Sequence, residues 1–207
     1  MAQGKLAIIS GFSGAGKSTV VRKLVETRDY ELSVSCTSRA PREGEIDGKD
    51  YYFISKEDFE DRIAQGDFLE HVKYLDNYYG TPLSFTKEKL AQGRNVILEI
   101  DVQGGYQVKK LIPEAILIFV VAPTMKELKR RLTLRGTEKE EVVRKRLNRA
   151  MEEMDLAPDY DYLMVNYDID DSVNLLDMMI RDGFGRAPGA DDLLERLRRE
   201  GHEALGL

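Results

Sequence analysis

Three absences narrow the class of this protein before any motif is considered. Cys36 is the only cysteine among 207 residues, so no disulfide can form within the chain and a reducing compartment is expected. Long hydrophobic runs are also missing, because the first apolar stretch, LAIIS, is too short for a signal-peptide core and no stretch approaches a membrane span. Internal repeats and low-complexity tracts are absent as well. We expect a cytoplasmic protein without a membrane partner.

A net positive charge is missing too. Lys and Arg number 31 against 37 Asp and Glu, which gives a formal net charge of -6 at pH 7. The basic residues are concentrated between Lys126 and Arg149, where 10 Lys or Arg stand against 4 Asp or Glu. Two exposed helices with basic faces would explain this segment. Nucleic-acid binding is disfavoured because the pI is 5.2 and interleaved aromatic residues are lacking, so a polyphosphate site fits better.

Apolar runs and helical periodicity alternate along the chain. The runs LAIIS, NVILEID and ILIFVVA are unbroken, which is typical of strands covered on both faces. Shorter patterns predict strands at ELSVSC, DYYFI and YLMVN, and helical periodicity predicts helices over 17–26, 56–64, 84–91, 125–154 with a break near Gly136, and 172–180. This alternation predicts an α/β fold with a parallel sheet flanked by helices. Residues 33–93 are predicted to be a β-rich insertion, and 184–207 a linker followed by an amphipathic helix.

A phosphate-binding loop follows the first strand. The segment GFSGAGKST matches G-x-x-x-x-G-K-[ST], with a predicted strand before it and a helix after it. Its glycines let backbone N–H groups surround phosphate oxygens at a helix N-terminus. Lys17 is then predicted to reach the β and γ phosphates, and the Ser18 hydroxyl to bind Mg²⁺. The residues predicted to hold the phosphates of a nucleoside triphosphate are Gly11, Phe12, Ser13, Gly14, Ala15, Gly16, Lys17, Ser18 and Thr19.

Two carboxylates, Glu99 and Asp101, end a central strand, where α/β sheets open their ligand crevice. A helix cap or a solvated strand end would also explain either residue. Beside a phosphate loop, we expect at least one of them to function, with Glu99 or Asp101 assisting the Mg²⁺ site through water.

The segment CTSRAPREGE holds two arginines, Arg39 and Arg42, around Pro41 in a predicted loop. Solvated loop charge would explain them in isolation. Together with DGKDYYF, FLEHV and NYYGT, however, this segment closely resembles the nucleoside-monophosphate-binding part of guanylate kinases. The resemblance also covers the phosphate loop, EIDVQG and RGTE, and spans roughly residues 4–180.

The resemblance implies a P-loop NTPase-type fold and a set of roles. It implies that the monophosphate of GMP is held by Arg39, Arg42, Tyr51 and Tyr79, and that guanine is read or positioned by Ser35, Glu70, Thr81 and Asp101. It implies that Arg135 and Arg146 belong to a helical lid that closes over ATP, and that Lys17, Arg39, Arg42, Arg135 and Arg146 are catalytic. The implied domains are a core (1–32, 94–123 and 157–183), a GMP-binding domain (33–93) and a lid (124–156).

The activity implied is transfer of the γ-phosphoryl group of ATP to GMP, in purine nucleotide metabolism. The expected substrates are ATP with GMP or dGMP, the expected cofactor is Mg²⁺, and no nucleic acid or obligate protein partner is expected. Two alternatives stay open: a guanylate-kinase-like peptide-binding module, which the intact Gly16-Lys17-Ser18 disfavours, and a related kinase for another phosphorylated acceptor, which Ser35, Glu70 and Asp101 disfavour. The chain departs from the commonest family pattern at Cys36, Ser38, Glu99 and Tyr167.

Overall fold

The fold was analysed in a computed structural model that describes residues 3–74, 76–133, 140–183 and 190–206. The strands in this part of the chain are β1 (Leu6–Gly11), β2 (Tyr30–Leu32), β3 (Cys36–Thr37), β4 (Tyr52–Phe53), β5 (Phe68–Tyr74), β6 (Asn77–Pro82), β7 (Asn95–Glu99), β8 (Ile116–Val121) and β9 (Tyr162–Val165). The helices are α1 (Lys17–Thr27), α2 (Lys56–Gln65), α3 (Leu83–Ala91), α4 (Val102–Leu111), α5 (Met125–Thr133), α6 (Glu140–Met154), α7 (Ile169–Asp182) and α8 (Ala190–Leu205). None of these helices has the length and apolarity needed to cross a bilayer.

The larger sheet has five strands in the order β2-β7-β1-β8-β9. β2 pairs with β7 and β8 pairs with β9, both in parallel register. Its central strands consist almost entirely of buried apolar residues, because a parallel sheet covered by helices on both faces leaves no polar side. The predicted α/β fold with a parallel sheet is therefore confirmed.

The chain divides into two compact units. The first comprises residues 1–8 and 28–116. It contains a four-stranded sheet in the order β4-β3-β6-β5, in which β6 runs antiparallel to both β3 and β5. Stacked aromatic rings fill the space between this sheet and α2, with the Phe59 and Phe68 centroids 4.4 Å apart. Helix α4 packs against β5, and α3 packs against β7.

The second unit comprises residues 9–27 and 117–207. Helix α1 packs on α7, and α8 packs on α5 and α6. The close approach of α8 is permitted by a glycine: a Cβ at Gly201 would stand 2.1 Å from Met151 Sδ, so the Met151 side chain would have to shift. At the start of α5, the Met125 N–H donates to Glu200 Oε2 at 2.8 Å. At the end of α6, Arg198 Nη2 donates to Asp155 Oδ1 at 2.6 Å.

Two sequence predictions need correction. The single strand predicted at ELSVSC is wrong: β2 ends at Leu32 and β3 begins at Cys36, and the two belong to different sheets. The strand predicted at DYYFI is reduced to Tyr52–Phe53. The predicted break near Gly136 and most of the linker at 184–191 lie outside the described residues. The domain division based on substrate roles stays a prediction beside these compact units.

Candidate active site

The phosphate loop lies in the second unit, between the end of β1 and the start of α1. Gly14 and Gly16 have φ values of 87° and 92°, and residues other than glycine rarely adopt such positive values. The Lys17 ammonium donates to the carbonyl oxygens of Gly11 at 2.6 Å and Phe12 at 3.0 Å. Ser18 occupies the first turn of α1 and is exposed. The loop therefore has the backbone shape of a phosphate cradle, with one ammonium group bound to its carbonyls.

Two polar side chains hold this loop at Ala15. Asn166 Nδ2 donates to the Ala15 oxygen at 2.7 Å, and the Asn166 Oδ1 accepts from Ser172 Oγ at 2.9 Å. Arg131 Nη1 donates to the same Ala15 carbonyl oxygen at 3.1 Å, and Arg131 Nη2 donates to the backbone carbonyl oxygen of Asn166 at 3.0 Å. A Cβ at Gly16 would stand 2.3 Å from Asn166 Nδ2. Glycine at this position is therefore required both by φ and by the space that Asn166 fills.

The Arg131 guanidinium is oriented by a carboxylate one turn earlier. Glu127 accepts from Arg130 at 2.6 Å and 2.7 Å and from Arg131 Nε at 2.8 Å. These bonds to Arg130 and then to Arg131 lower the pKa of Glu127 to about 2. The helix thus presents Arg131 to the loop in a fixed direction. Of the two arginines predicted for the lid, Arg146 lies half-buried on α6, and Arg135 lies outside the described residues.

A cluster of arginine and tyrosine side chains lies in the first unit. The Arg39 guanidinium carbon stands 5.6 Å from the centre of the Tyr51 ring, whose centroid is 6.1 Å from that of Tyr79. Burial opposes the charge of Arg39, but its bonds to Glu45 and Tyr79 outweigh this effect and raise its pKa. Burial, followed by the charge of Glu99, raises the pKa of Tyr51 and keeps its hydroxyl protonated as a donor.

Glu45 joins the two arginine positions of the loop. Arg39 Nη2 donates to both Glu45 carboxylate oxygens, at 2.9 Å and 3.0 Å. The backbone N–H of Arg42 donates to Glu45 Oε2 at 2.7 Å, while the Arg42 residue itself is exposed. A carboxylate therefore occupies the donors that we expect a phosphate to use. Ser35 is half-buried, and its carbonyl oxygen accepts from the Tyr52 N–H at 2.9 Å.

A buried carboxylate lies on β5 of the same unit. Glu70 is only 4% exposed, and its Oε1 accepts from Thr81 Oγ1 at 2.7 Å. Burial raises its pKa to about 7; the Thr81 bond lowers it and the charge of Asp101 adds to the increase. Asp101 caps α4, with Oδ1 accepting from the Gly104 N–H at 2.8 Å. The predicted guanine-reading residues Glu70, Thr81 and Asp101 thus lie in one electrostatic neighbourhood, and Asp101 is also the helix cap that sequence left as its alternative.

Comparison with known proteins identifies the family. The guanylate kinase family model matches residues 3–183. The chain belongs to the guanylate kinase family. It is 49% identical to the guanylate kinase of Clostridium tetani over 180 residues, which cover 87% of this chain and 86% of that protein. The guanylate kinase of Caldanaerobacter subterraneus subsp. tengcongensis is 44% identical over 199 residues, covering 96% and 97% of the two chains.

A solved structure of this family agrees with the fold. The crystal structure of guanylate kinase from Anaplasma phagocytophilum superposes with a TM-score of 0.73 at 32% sequence identity, covering 94% of this chain and 95% of that one. The family model ends before α8, so the packing of α8 on α5 and α6 lies beyond the matched region.

Three residues at the two sites were missed by the sequence analysis. Arg131 and Asn166 contact the phosphate loop from positions far along the chain, and Glu45 binds the arginines of its own loop. Glu45 carried a detectable signal, because a carboxylate three residues after Arg42 can reach back to that backbone N–H. Arg131 belongs to the basic segment 126–149, but nothing singled out Arg131 within that segment, and no local pattern placed Asn166 at the loop, since only the tertiary fold brings both residues to Ala15.

Proposed function

We propose that this member of the guanylate kinase family transfers the γ-phosphoryl group of ATP to GMP, with dGMP as a further acceptor. The observation that carries the proposal is the combination, within one compact unit, of a buried acceptor at Glu70 and a donor-rich cluster around Arg39. A guanine base and a phosphate require opposite hydrogen-bonding chemistry. This unit supplies both.

The base specificity follows from the chemistry of Glu70. Guanine offers N1–H and N2–H₂ donors on one edge, which suit a carboxylate, whereas adenine has no N1–H and would leave a buried acceptor unpaired. Thr81 already fixes Glu70 Oε1 at 2.7 Å, so the carboxylate direction is set before the base arrives. Ser35 and Asp101 are proposed to complete the recognition of guanine.

The phosphate of GMP is proposed to be bound by Arg39, Arg42, Tyr51 and Tyr79. Guanidinium groups match phosphate oxygens with paired N–H donors, and protonated tyrosines add neutral ones. Binding of the phosphate would replace the Glu45 carboxylate at Arg39. The acceptor oxygen of GMP then attacks the γ phosphorus, and the bond from that phosphorus to the β–γ bridging oxygen breaks, releasing ADP.

The loop from Gly11 to Thr19 is proposed to hold the ATP phosphates. No covalent enzyme intermediate is needed, because phosphoryl transfer depends on positioning and on neutralisation of the equatorial oxygens. Lys17 supplies one positive charge, and we propose Arg135 and Arg146, in the lid at 124–156, as further sources. The lid would exclude water that otherwise hydrolyses ATP.

Mg²⁺ is proposed as the cofactor. Within the described residues no group of three His, Cys, Asp or Glu side chains is placed to hold a metal ion. Mg²⁺ in kinases is bound by nucleotide phosphates, water and one or two protein oxygens, so a dedicated cluster is not required. The exposed Ser18 hydroxyl at the start of α1 fits that donor set, and Glu99 or Asp101 would act through water. The ion would neutralise phosphate charge. A cytoplasmic location is proposed because Cys36 is the only cysteine of the chain, which is typical of proteins in a reducing compartment.

A coupled assay of ADP release tests the proposal. The purified protein is given ATP and Mg²⁺ with GMP, dGMP, AMP, UMP or ribose bisphosphate in turn, and each reaction is repeated with EDTA. We expect turnover with GMP and dGMP that disappears with EDTA. Turnover with ribose bisphosphate or another nucleotide instead of GMP would overturn the assignment, and ATP binding without any turnover would favour a binding module.

A further inference from the structure

Helix α4 is joined to β5 by one glutamine side chain. The Gln107 Oε1 accepts from the His71 N–H at 3.4 Å, and Gln107 Nε2 donates to the His71 oxygen at 3.2 Å. A side-chain amide thus makes the two bonds that the peptide groups of a neighbouring strand would otherwise make. His71 directly follows Glu70, so these bonds fix the backbone beside the buried carboxylate.

The position of this attachment in the sheet matters. β5 is an edge strand of the sheet β4-β3-β6-β5, and edge strands leave outward-facing backbone groups without a strand partner. The pairing of β5 with β6 also shifts register between Phe68 and Glu70. Such irregularities bend a strand and redirect the next side chain. The irregularity therefore sets the direction of the Glu70 side chain, and Gln107 binds the backbone of the following residue, His71.

A second residue of α4 meets Glu70 from the same face of the helix. Gly104 lies three positions before Gln107, a spacing that places both on one face. A Cβ at Gly104 would stand 2.8 Å from Glu70 Oε2. The Gly104 N–H meanwhile donates to Asp101 Oδ1 at 2.8 Å. Gly104 thus binds Asp101 through its backbone N–H, and because it has no side chain it leaves room for the Glu70 carboxylate.

We propose that Gln107 and Gly104 are positioning residues for guanine recognition. Gln107 sets the distance between β5 and α4, and Gly104 lets the Glu70 carboxylate lie against the helix near the Asp101 cap. The inference rests on the proposed function, because it assigns to Glu70 the reading of guanine. Neither residue touches the base; both act through the direction in which Glu70 points.

The expected consequence is a loss of discrimination between bases. IMP keeps N1–H and O6 but lacks the N2 amino group, so it measures how well a carboxylate meets both donors of guanine. A displaced Glu70 should weaken GMP more than IMP. Loss of the two Gln107 hydrogen bonds should reduce the ratio of kcat/KM for GMP to that for IMP by about 5- to 20-fold.

The test compares four variants with the parent protein, using kcat and KM for GMP, IMP and ATP and the melting temperature. Gln107→Met keeps the side-chain length without the amide, and Gln107→Glu keeps an acceptor for the His71 N–H but loses the donor. Gly104→Ala adds the Cβ that would meet Glu70. Gln92→Met is the matched control, because the Gln92 amide, at the C-cap of α3, donates to Glu88 of that helix.

We expect a raised KM for GMP and a reduced GMP preference in Gln107→Met and Gly104→Ala, an intermediate effect in Gln107→Glu, and parental values in Gln92→Met, with the KM for ATP unchanged throughout. A GMP-to-IMP ratio within twofold of the parent in Gln107→Met would overturn the inference. Equal losses for GMP and IMP, or a raised KM for ATP, would overturn it as well, since they indicate general destabilisation. Absence of GMP turnover in the parent would instead contradict the proposed function.

Discussion

The charge of Glu70 conflicts with its buried surroundings. The residue is 4% exposed, and burial raises its pKa from 4.5 to about 7. Because this carboxyl group binds its proton more tightly in the folded state than in the unfolded state, the free energy of unfolding falls as pH rises between those two values. The protein therefore keeps a buried acceptor at an expense in stability, which is typical of sites shaped for a ligand.

Replacing Glu70 by Gln should remove this pH dependence. In the absence of nucleotide, the unfolding free energy of the parent should fall relative to that of Glu70→Gln from pH 4.5 upward, with the full difference present above pH 7. The shift corresponds to roughly 3 kcal/mol at most. Urea unfolding at pH 5 and pH 8 measures it. A constant difference between the two proteins at both pH values would mean that Glu70 titrates normally.

Glu70→Gln should also damage the use of GMP. The amide directs a donor at a guanine donor, and loss of charge-assisted bonds should reduce kcat/KM for GMP by about 10- to 200-fold. The KM for ATP should hardly change, because the loop proposed to hold the ATP phosphates does not include Glu70. Parental kcat/KM for GMP in a folded Glu70→Gln protein would show that guanine is read elsewhere.

Arg39 and Arg42 should act on the acceptor alone. Replacing either residue with Ala removes its guanidinium donors, and each substitution should weaken GMP binding by on the order of 10- to 100-fold. ATP binding should stay within twofold. Calorimetric titration of each variant with GMP and with a non-hydrolysable ATP analogue measures both affinities. Equal weakening of the two nucleotides would show that this loop serves something other than the GMP phosphate.

At the scale of the elements, the catalytic contribution of the phosphate loop is expected to depend on the charge of Lys17. Lys17 already binds the carbonyl oxygens of Gly11 and Phe12, so its position is fixed before ATP arrives. Lys17→Ala should lower kcat by about 10²-fold or more, because one preorganised electrostatic group is lost from the transition state. The far-ultraviolet circular dichroism spectrum should match the parent. A folded variant with near-parental kcat would place Lys17 away from the phosphates.

The elements also show what the sequence reveals and what it hides. The phosphate loop was predictable because its glycines, Lys17 and the flanking strand and helix are contiguous. The alternation in ELSVSC was misleading, because Leu32 pairs with Ile97 in one sheet while Cys36 pairs with Gly80 in another. Side-chain alternation records which face is buried and carries no information about which sheet buries it. Contacts such as Asn166 with Ala15, 151 positions apart, leave no local pattern.

At the scale of the molecule, α8 extends the second unit beyond the family match at 183. Its buried face carries Leu194, Leu197, Gly201 and Leu205. Gly201→Val should overpack the contact with Met151 and destabilise by about 1–3 kcal/mol, which lowers the melting temperature by roughly 3–10 °C for a chain of this size. His202→Val, at the exposed neighbouring position, is the control for β-branching in a helix. Equal melting temperatures for both variants would show that α8 does not pack here in solution.

The ion pair between Arg39 and Glu45 has a consequence for competition by small anions. Orthophosphate, sulfate or chloride that reaches this loop must displace the Glu45 carboxylate from Arg39. Because Glu45 belongs to the same chain, it binds Arg39 without losing translational freedom. A free anion must accept that loss and has no base to contribute further binding. A nucleotide offsets it through guanine. We therefore expect inorganic phosphate to compete only weakly with GMP at the acceptor site, with selectivity for a phosphate ester arising from the resident Glu45 carboxylate.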